Sequence, residues 1–218
     1  MIKPLIEGFQ HFRHNFFGED KVFFQRLTKR GQKPKIMSIS CSDSRVDPAI
    51  LFNTKPGEIF AVRNVANLVP PYKPDDSHHG VSAAIEFGVK DLEVAHIIVL
   101  GHAFCGGIQA LCSQYKNEVR NIELPAKREF LKSWIEIAKP AMQTIDIDQP
   151  DDIVQHTAEQ ASIVNSLQNL RSFPWIKEKE DSGSLGLHGW WFDMENGALW
   201  AYDKQREGFR RLVPGKQD

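Results

Sequence analysis

The chain has 218 residues, which suits one α/β domain and would be cramped for two. Its formal net charge of -1 at pH 7 provides no excess of either sign, which argues against nucleic acid or a membrane surface as a partner. Its three cysteines are too few for a disulfide scaffold, which favours a reducing compartment. We therefore expect a single cytoplasmic domain spanning residues 1–218.

The start of the chain is predicted to be a helical arm over residues 1–30. Four apolar side chains recur at spacings of four, three and four, which places them on one face of a helix: Leu5, Phe9, Phe12 and Phe16. A second apolar cluster between Val22 and Leu27 favours another helix after the first. So many phenylalanines on a short segment need a covering surface, which is either the same domain or a neighbouring subunit.

Strands and helices are predicted to alternate through the rest of the chain. Strands are predicted at Lys35–Ser40 and, after a turn signal, at Ile59–Val62. The near-continuous apolar run Ala95–Leu100 predicts a strand buried on both faces. Helical spacing predicts helices at Gly80–Leu92, from Gly106 onward, at Pro125–Ala138 and at Asp151–Leu170. The tight-turn signal Asn196-Gly197 predicts a hairpin between Leu185–Met194 and Ala198–Asp203, and the polar stretch Lys177–Ser184 predicts a surface loop.

This alternation predicts an α/β fold. A mostly parallel central sheet is expected to be flanked by helices, because parallel strands need crossover connections. The N-terminal helical arm and a C-terminal antiparallel hairpin are expected at its two ends.

Two thiols and one imidazole stand where predicted strands end. Cys41 follows the first strand, His102 follows the third, and Cys105 opens the next helix. The carboxyl ends of parallel strands meet at one edge of a sheet, so these side chains are expected to lie together. Two cysteines and one histidine are the ligand set of a zinc ion that keeps a position open for chemistry.

A carboxylate and a guanidinium stand beside the first of these cysteines. Two thiolates offset the charge of a zinc ion, so a nearby orienting group gains importance. Asp43 is the candidate, since it is two residues from Cys41. Arg45 can hold its carboxylate through a charge-assisted fork and keep it ionised.

The residues alone leave other interpretations open. Cys41 and Cys105 could form a redox pair without any metal. Asp43 could be the fourth ligand of a closed, structural zinc site. Cys112 is interpreted as a small buried apolar side chain and not as a ligand.

Six segments resemble those of the β-class carbonic anhydrases, in that family's order. They are Cys41–Val46, Pro56–Phe60, Arg63–Asn67, Ser82–Phe87, Gly101–Gly107 and Leu187–Trp190. The similarity runs from about Gln32 to Asp203. It implies the reversible hydration of carbon dioxide to bicarbonate and a proton, by attack of zinc-bound hydroxide on CO2.

The resemblance also implies roles for individual residues. Cys41, His102 and Cys105 match the ligands of one Zn²⁺ per chain, and Asp43 and Arg45 match the catalytic pair that orients the hydroxide. The positions that match the substrate pocket are Gln32, Phe60, Val65, Phe87 and Gly106. Ser38 stands where one branch of the family has tryptophan, which favours the readily open branch. Phe87 stands where many relatives have tyrosine.

The resemblance further implies a homodimer or tetramer in which the N-terminal arm embraces the partner. Some pocket residues would then come from the second subunit. Carbon dioxide and bicarbonate are the only other partners expected. His78, His79 and His96 are candidate proton shuttles only because the ordinary pKa of histidine is near neutral. A competing interpretation is a relative that binds bicarbonate, or a structural zinc, without turnover.

Overall fold

A computed structural model describes residues 2–19, 21–122 and 128–216. In this part of the chain, six strands form one sheet: β1 (Ile36–Cys41), β2 (Ile59–Asn64), β3 (His96–His102), β4 (Gly186–Phe192), β5 (Leu199–Asp203) and β6 (Gly208–Val213). Their order across the sheet is β2-β1-β3-β4-β5-β6. The pairs β1–β2, β1–β3 and β3–β4 are parallel, while β4–β5 and β5–β6 are antiparallel. The prediction of a mostly parallel sheet with a C-terminal hairpin is confirmed.

Nine α-helices lie among the remaining described residues. They are α1 (Lys3–Arg13), α2 (Lys21–Arg30), α3 (Pro48–Leu51), α4 (Gly80–Glu86), α5 (Gly106–Val119), α6 (Leu131–Ile135), α7 (Lys139–Met142), α8 (Asp151–Arg171) and α9 (Pro174–Asp181). Short π-helical turns continue α1 at His14–Glu19 and α4 at Phe87–Asp91, and 3₁₀ turns occur at Val65–Asn67 and Glu136–Ala138. No helix in the described ranges combines the length and apolar character needed to cross a membrane.

Three details of the sequence prediction need correction or qualification. The stretch predicted as a surface loop at Lys177–Ser184 lies largely within α9, which begins with Pro174 at its first position and buries Ile176. Strand β6 was not predicted, and its pairing with β5 extends the hairpin to three strands. The helix predicted at Pro125–Ala138 begins at Leu131, and residues 125–127 lie outside the described residues.

Helix α8 contributes residues to two apolar clusters. Its C-terminal half contributes Ile163 and Leu167 to a core with Val99 and Trp191. Its N-terminal half contributes to a second core, which contains Cys41, Cys105, Val154 and Ala158 among its members. The middle of α8 therefore lies between the main core and the ends of β1 and β3.

Gly189 on β4 leaves room for this helix to pack on the sheet. A Cβ at this position would lie 2.7 Å from Cγ2 of Ile163 and 2.9 Å from Cδ1 of Leu167, both of which are buried. Overpacking a filled core costs about 1–3 kcal/mol, so we expect Gly189→Ala to lower the free energy of unfolding by that amount in urea titrations. Gly8→Ala is the matched control, because an added Cβ there meets no described atom within 4 Å. An equal loss in both variants would contradict the prediction.

Candidate metal site

The ends of β1 and β3 bring two cysteines and a histidine together. Ser40 on β1 pairs with Leu100 on β3, so Cys41 and His102, the last residues of these two strands, lie at the same edge of the sheet. The ligand atoms of Cys41, His102 and Cys105 all lie within 4.8 Å of one another. All three residues are buried, and no other group of three or more such side chains was found within the described ranges.

The donor set and its hydrogen bonding fit a zinc ion. Nδ1 of His102 donates to the carbonyl of Ala103 across 2.8 Å, which leaves Nε2 as the acceptor of the ring. That Nε2 is buried and has no hydrogen-bond partner among the described residues. An unsatisfied buried nitrogen is costly, whereas a ligating histidine has its other ring nitrogen hydrogen-bonded in this way. Together with two thiols, this imidazole can hold a zinc ion.

The two cysteines interact as a coupled pair of thiols. Both are free, and their sulfurs lie 3.9 Å apart. The hydrogen bond between the two sulfurs is the largest cause of a lowered pKa of Cys41, and the backbone N–H of Asp43, 3.5 Å from the sulfur, lowers that pKa further. The same contact and burial raise the pKa of Cys105. Because a metal is bound by thiolates, binding of a cation would release the remaining thiol protons of the pair.

Arg45 fixes the carboxylate of Asp43 beside this cluster. Its Nε donates to Oδ1 across 2.9 Å and its Nη2 donates to Oδ2 across 2.7 Å, while its backbone N–H also donates to Oδ1. This fork holds the pKa of Asp43 well below its usual range. Nη2 of Arg45 also donates to the carbonyl of Phe104, which stands between His102 and Cys105. The structure therefore brings the predicted ligands and the predicted Asp–Arg pair into one region.

Arg63 supports the loop that carries Asp43, a contact that the sequence analysis missed. From β2, its guanidinium donates to the carbonyl of Cys41 at 3.1 Å, to the carbonyl of Asp43 at 2.7 Å and to Oδ2 of Asp47 at 2.7 Å. Asp47 in turn caps α3 by accepting from the backbone N–H of Ala49. The segment Arg63–Asn67 was singled out, but spacing does not reveal a contact across 20 residues.

Glu159 is a second functional neighbour that the sequence analysis missed. It is 2% exposed on α8, and its Oε1 accepts from the backbone N–H of Cys105 at 3.0 Å. Burial raises the pKa of Glu159, and hydrogen bonds from Cys105, Gln155 and Trp191 oppose that rise. A sequence signal existed, because Glu159 lies four residues before Ile163 on the apolar face of the helix.

The five predicted pocket residues divide into two groups. Val65 directly follows β2, Gly106 opens α5, and a Cβ on the next residue, Gly107, would lie 2.8 Å from Cγ1 of Val65. Phe60 and Phe87 pack together with ring centroids 5.9 Å apart. Phe60, Phe87 and the exposed Gln32 lie in parts of the chain separate from Val65 and Gly106.

The register shows how far Phe60 lies from the cluster of the same chain. Phe60 pairs with Met37, whereas Asn64 pairs with Cys41. This separation of four residues along parallel strands amounts to about 13 Å. The pocket role of Phe60 and Phe87 stays a prediction.

His96, one of the candidate shuttles, lies at the far end of β3 from His102. The separation of six residues along the strand amounts to about 20 Å. His96 contacts His188 there, with ring nitrogens 3.2 Å apart. A direct transfer of protons between His96 and the cluster of its own chain is therefore excluded by distance.

Comparison with known proteins agrees with this geometry. The sequence profile of the family described as Carbonic anhydrase matches residues 36–199. The chain is 35% identical over 207 residues to "Beta carbonic anhydrase 3" of Arabidopsis thaliana, covering 93% of this chain and 78% of that protein.

Solved structures share the fold. The β-carbonic anhydrase CcaA is 30% identical, with a TM-score of 0.85 over 98% of this chain and 94% of that one. A tetrameric β-carbonic anhydrase from Sordaria macrospora is 24% identical, with a TM-score of 0.69 over 98% and 95% of the two chains, and at that identity it supports the fold alone. The profile, the Arabidopsis relative and the CcaA structure together show that this chain belongs to the β-carbonic anhydrase family and is a carbonic anhydrase.

Proposed function

We propose that this chain hydrates carbon dioxide reversibly to bicarbonate and a proton, using one Zn²⁺ held by Cys41, His102 and Cys105. The observation that carries the proposal is a buried two-cysteine, one-histidine cluster beside a carboxylate locked by an arginine. When bound, zinc lowers the pKa of a coordinated water towards neutrality and so supplies a nucleophile.

Asp43 is proposed to orient that nucleophile by accepting its hydrogen bond. The fork from Arg45 keeps the carboxylate ionised, so the carboxylate is an acceptor and not a proton donor. Oδ1 already accepts two hydrogen bonds from Arg45, whereas Oδ2 accepts one among the described contacts. Oδ2 is therefore the atom proposed to accept from the attacking water, which aims a lone pair of the water oxygen at the carbon of CO2.

Carbon dioxide is proposed to bind against apolar groups beside the cluster. It is nonpolar, so an apolar wall can hold it without strong hydrogen bonds. Val65 and the backbone of Gly106 provide one side of such a pocket. Gln32, Phe60 and Phe87 are proposed to complete the pocket of a second subunit, since about 13 Å separates Phe60 from the cluster of its own chain.

A homodimer or tetramer is the proposed assembly. The N-terminal arm exposes large apolar side chains that need a covering surface: Ile2, Leu5, Ile6, Phe9, Phe17 and Val22. The tetrameric Sordaria protein with the same fold is consistent with this assembly. Sedimentation equilibrium at micromolar concentration should give at least twice the mass of one chain, and a monomer would contradict the proposal.

Zinc content and stopped-flow CO2 hydration on the same preparation test the function. We expect about one zinc per chain, loss of hydration after dialysis against a strong chelator, and recovery when zinc is added back. A zinc-loaded, folded protein that does not hydrate CO2 above the buffer rate would favour a relative that binds without turnover.

A further inference from the structure

We infer that Glu159 is a positioning residue for Cys105, and that the chain binds zinc more weakly without its carboxylate. The inference rests on the proposed zinc site. Glu159 lies behind the cluster on α8, and its carboxylate reaches the backbone of Cys105 without occupying a ligand position.

Three N–H groups from different elements converge on this one buried carboxylate. Oε1 accepts from the backbone of Cys105 and from Nε2 of Gln155, each at 3.0 Å. Oε2 accepts from the indole N–H of Trp191 on β4 at 3.3 Å. Each of the three partners donates a hydrogen bond to the carboxylate, and such donors favour its ionised form.

The contact with Cys105 controls where a ligand sulfur points. Cys105 is the N-cap of α5, and its own side chain makes no capping hydrogen bond. Glu159 instead fixes its backbone N–H, and the direction of the Cα–Cβ bond follows from that fixed backbone. This arrangement keeps Sγ of Cys105 within 3.9 Å of Sγ of Cys41.

The negative charge of Glu159, like its contact with Cys105, is expected to favour zinc binding. A buried carboxylate is costly to desolvate, so its presence near the cluster needs compensation. Hydrogen bonds provide part of that compensation. A divalent cation bound by two thiolates and an imidazole adds an attractive interaction, which is strong where water is excluded.

Glu159→Gln tests this inference because it conserves shape and removes the charge. An amide retains one acceptor oxygen, but its NH2 group must then face one of the three donors. Loss of a group that orients a metal ligand typically weakens metal binding 10–100-fold, so we expect the zinc dissociation constant to rise by about that factor in chelator competition. In the Co²⁺-substituted protein, the sulfur-to-cobalt charge-transfer band should shift or weaken.

Glu180→Gln is the matched control. Glu180 is a partly buried carboxylate on α9 that accepts from Arg171 at 2.7 and 2.8 Å, away from the cluster. This variant should lose stability and keep the zinc affinity and the cobalt spectrum of the parent. If Glu159→Gln does not fold, Gln155→Leu carries the test, since it removes one donor to Oε1 and should weaken zinc binding in the same direction by a smaller factor.

Three results would overturn the inference. The first is a folded Glu159→Gln variant whose zinc dissociation constant is within twofold of that of the parent. If Glu159→Gln does not fold, the corresponding result is an unchanged zinc dissociation constant in Gln155→Leu. The second is an equal loss of zinc affinity in Glu180→Gln. The third, a parent chain that binds no zinc, would refute the proposed function itself and is thereby distinguishable from failure of the role of Glu159.

Discussion

An Asp43→Asn variant should keep one zinc per chain and lose about 10²–10³-fold in kcat/KM for CO2 hydration, a range typical of removing a positioned proton-transfer or hydrogen-bonding group. Arg45 donates to both oxygens of the present carboxylate. An amide offers only one oxygen, so its NH2 group must face either the arginine or the attacking water. Either orientation removes the acceptor that we propose at Oδ2.

The measurement is stopped-flow hydration on protein whose zinc content is determined in parallel. Asp181→Asn is a suitable control, because Asp181 is an exposed carboxylate paired with Lys177 on α9. It should keep full activity. Full activity in Asp43→Asn with zinc bound would remove Asp43 from the proposed mechanism, while loss of zinc from that variant would show that Asp43 supports the metal site instead.

His102→Ala is expected to abolish stoichiometric zinc binding and to reduce hydration to the buffer rate. The substitution removes the one buried Nε2 that the cluster offers and leaves two thiols. Loss of a ligand should exceed the 10–100-fold effect of losing a supporting group, so the zinc dissociation constant should rise more than about 100-fold.

His96→Ala provides the control on the same strand. His96 lies about 20 Å from His102 along β3, so that variant should keep both zinc and activity. A His102→Ala protein that still bound one zinc with the affinity of the parent would show that the cluster is not the metal site. Zinc measurements by chelator competition decide this without reference to activity.

The sequence predicted best the two strands whose ends carry the cluster of Cys41, His102 and Cys105. Apolar runs predicted β1 and β3 to within two residues at each end, and the residues that follow those runs form the cluster. In β3 the apolar run is almost uninterrupted, as expected of a parallel strand that is buried on both faces.

Strand β6 and helix α9, which were not predicted, are stabilised by contacts between residues that are distant in the sequence. In β6, Phe209 packs on Tyr202 and Arg211 lies over the ring of Trp200, both across the strand pair with β5. Two adjacent arginines in β6 hide the strand pattern from a local analysis. In α9, polar residues hide a helix that Ile176 anchors in the core.

The supporting residues of the site were missed for a related reason. Arg63 acts on Cys41 and Asp43 across 22 and 20 positions, and Glu159 acts on Cys105 across 54. Spacing cannot reveal such contacts, although a carboxylate on the apolar face of a helix was a usable signal.

Helix α8 packs in the apolar core and also contacts Cys105 in the cluster. We expect this arrangement to affect the rate of metal exchange. One half of the helix packs in each apolar core, and Glu159 in its middle contacts Cys105. Opening of this helix would free the backbone of Cys105, a proposed ligand, so we expect zinc to dissociate faster under conditions that detach α8 more often. Metal loading should in turn slow hydrogen–deuterium exchange at the amides of this helix, because binding favours the closed conformation.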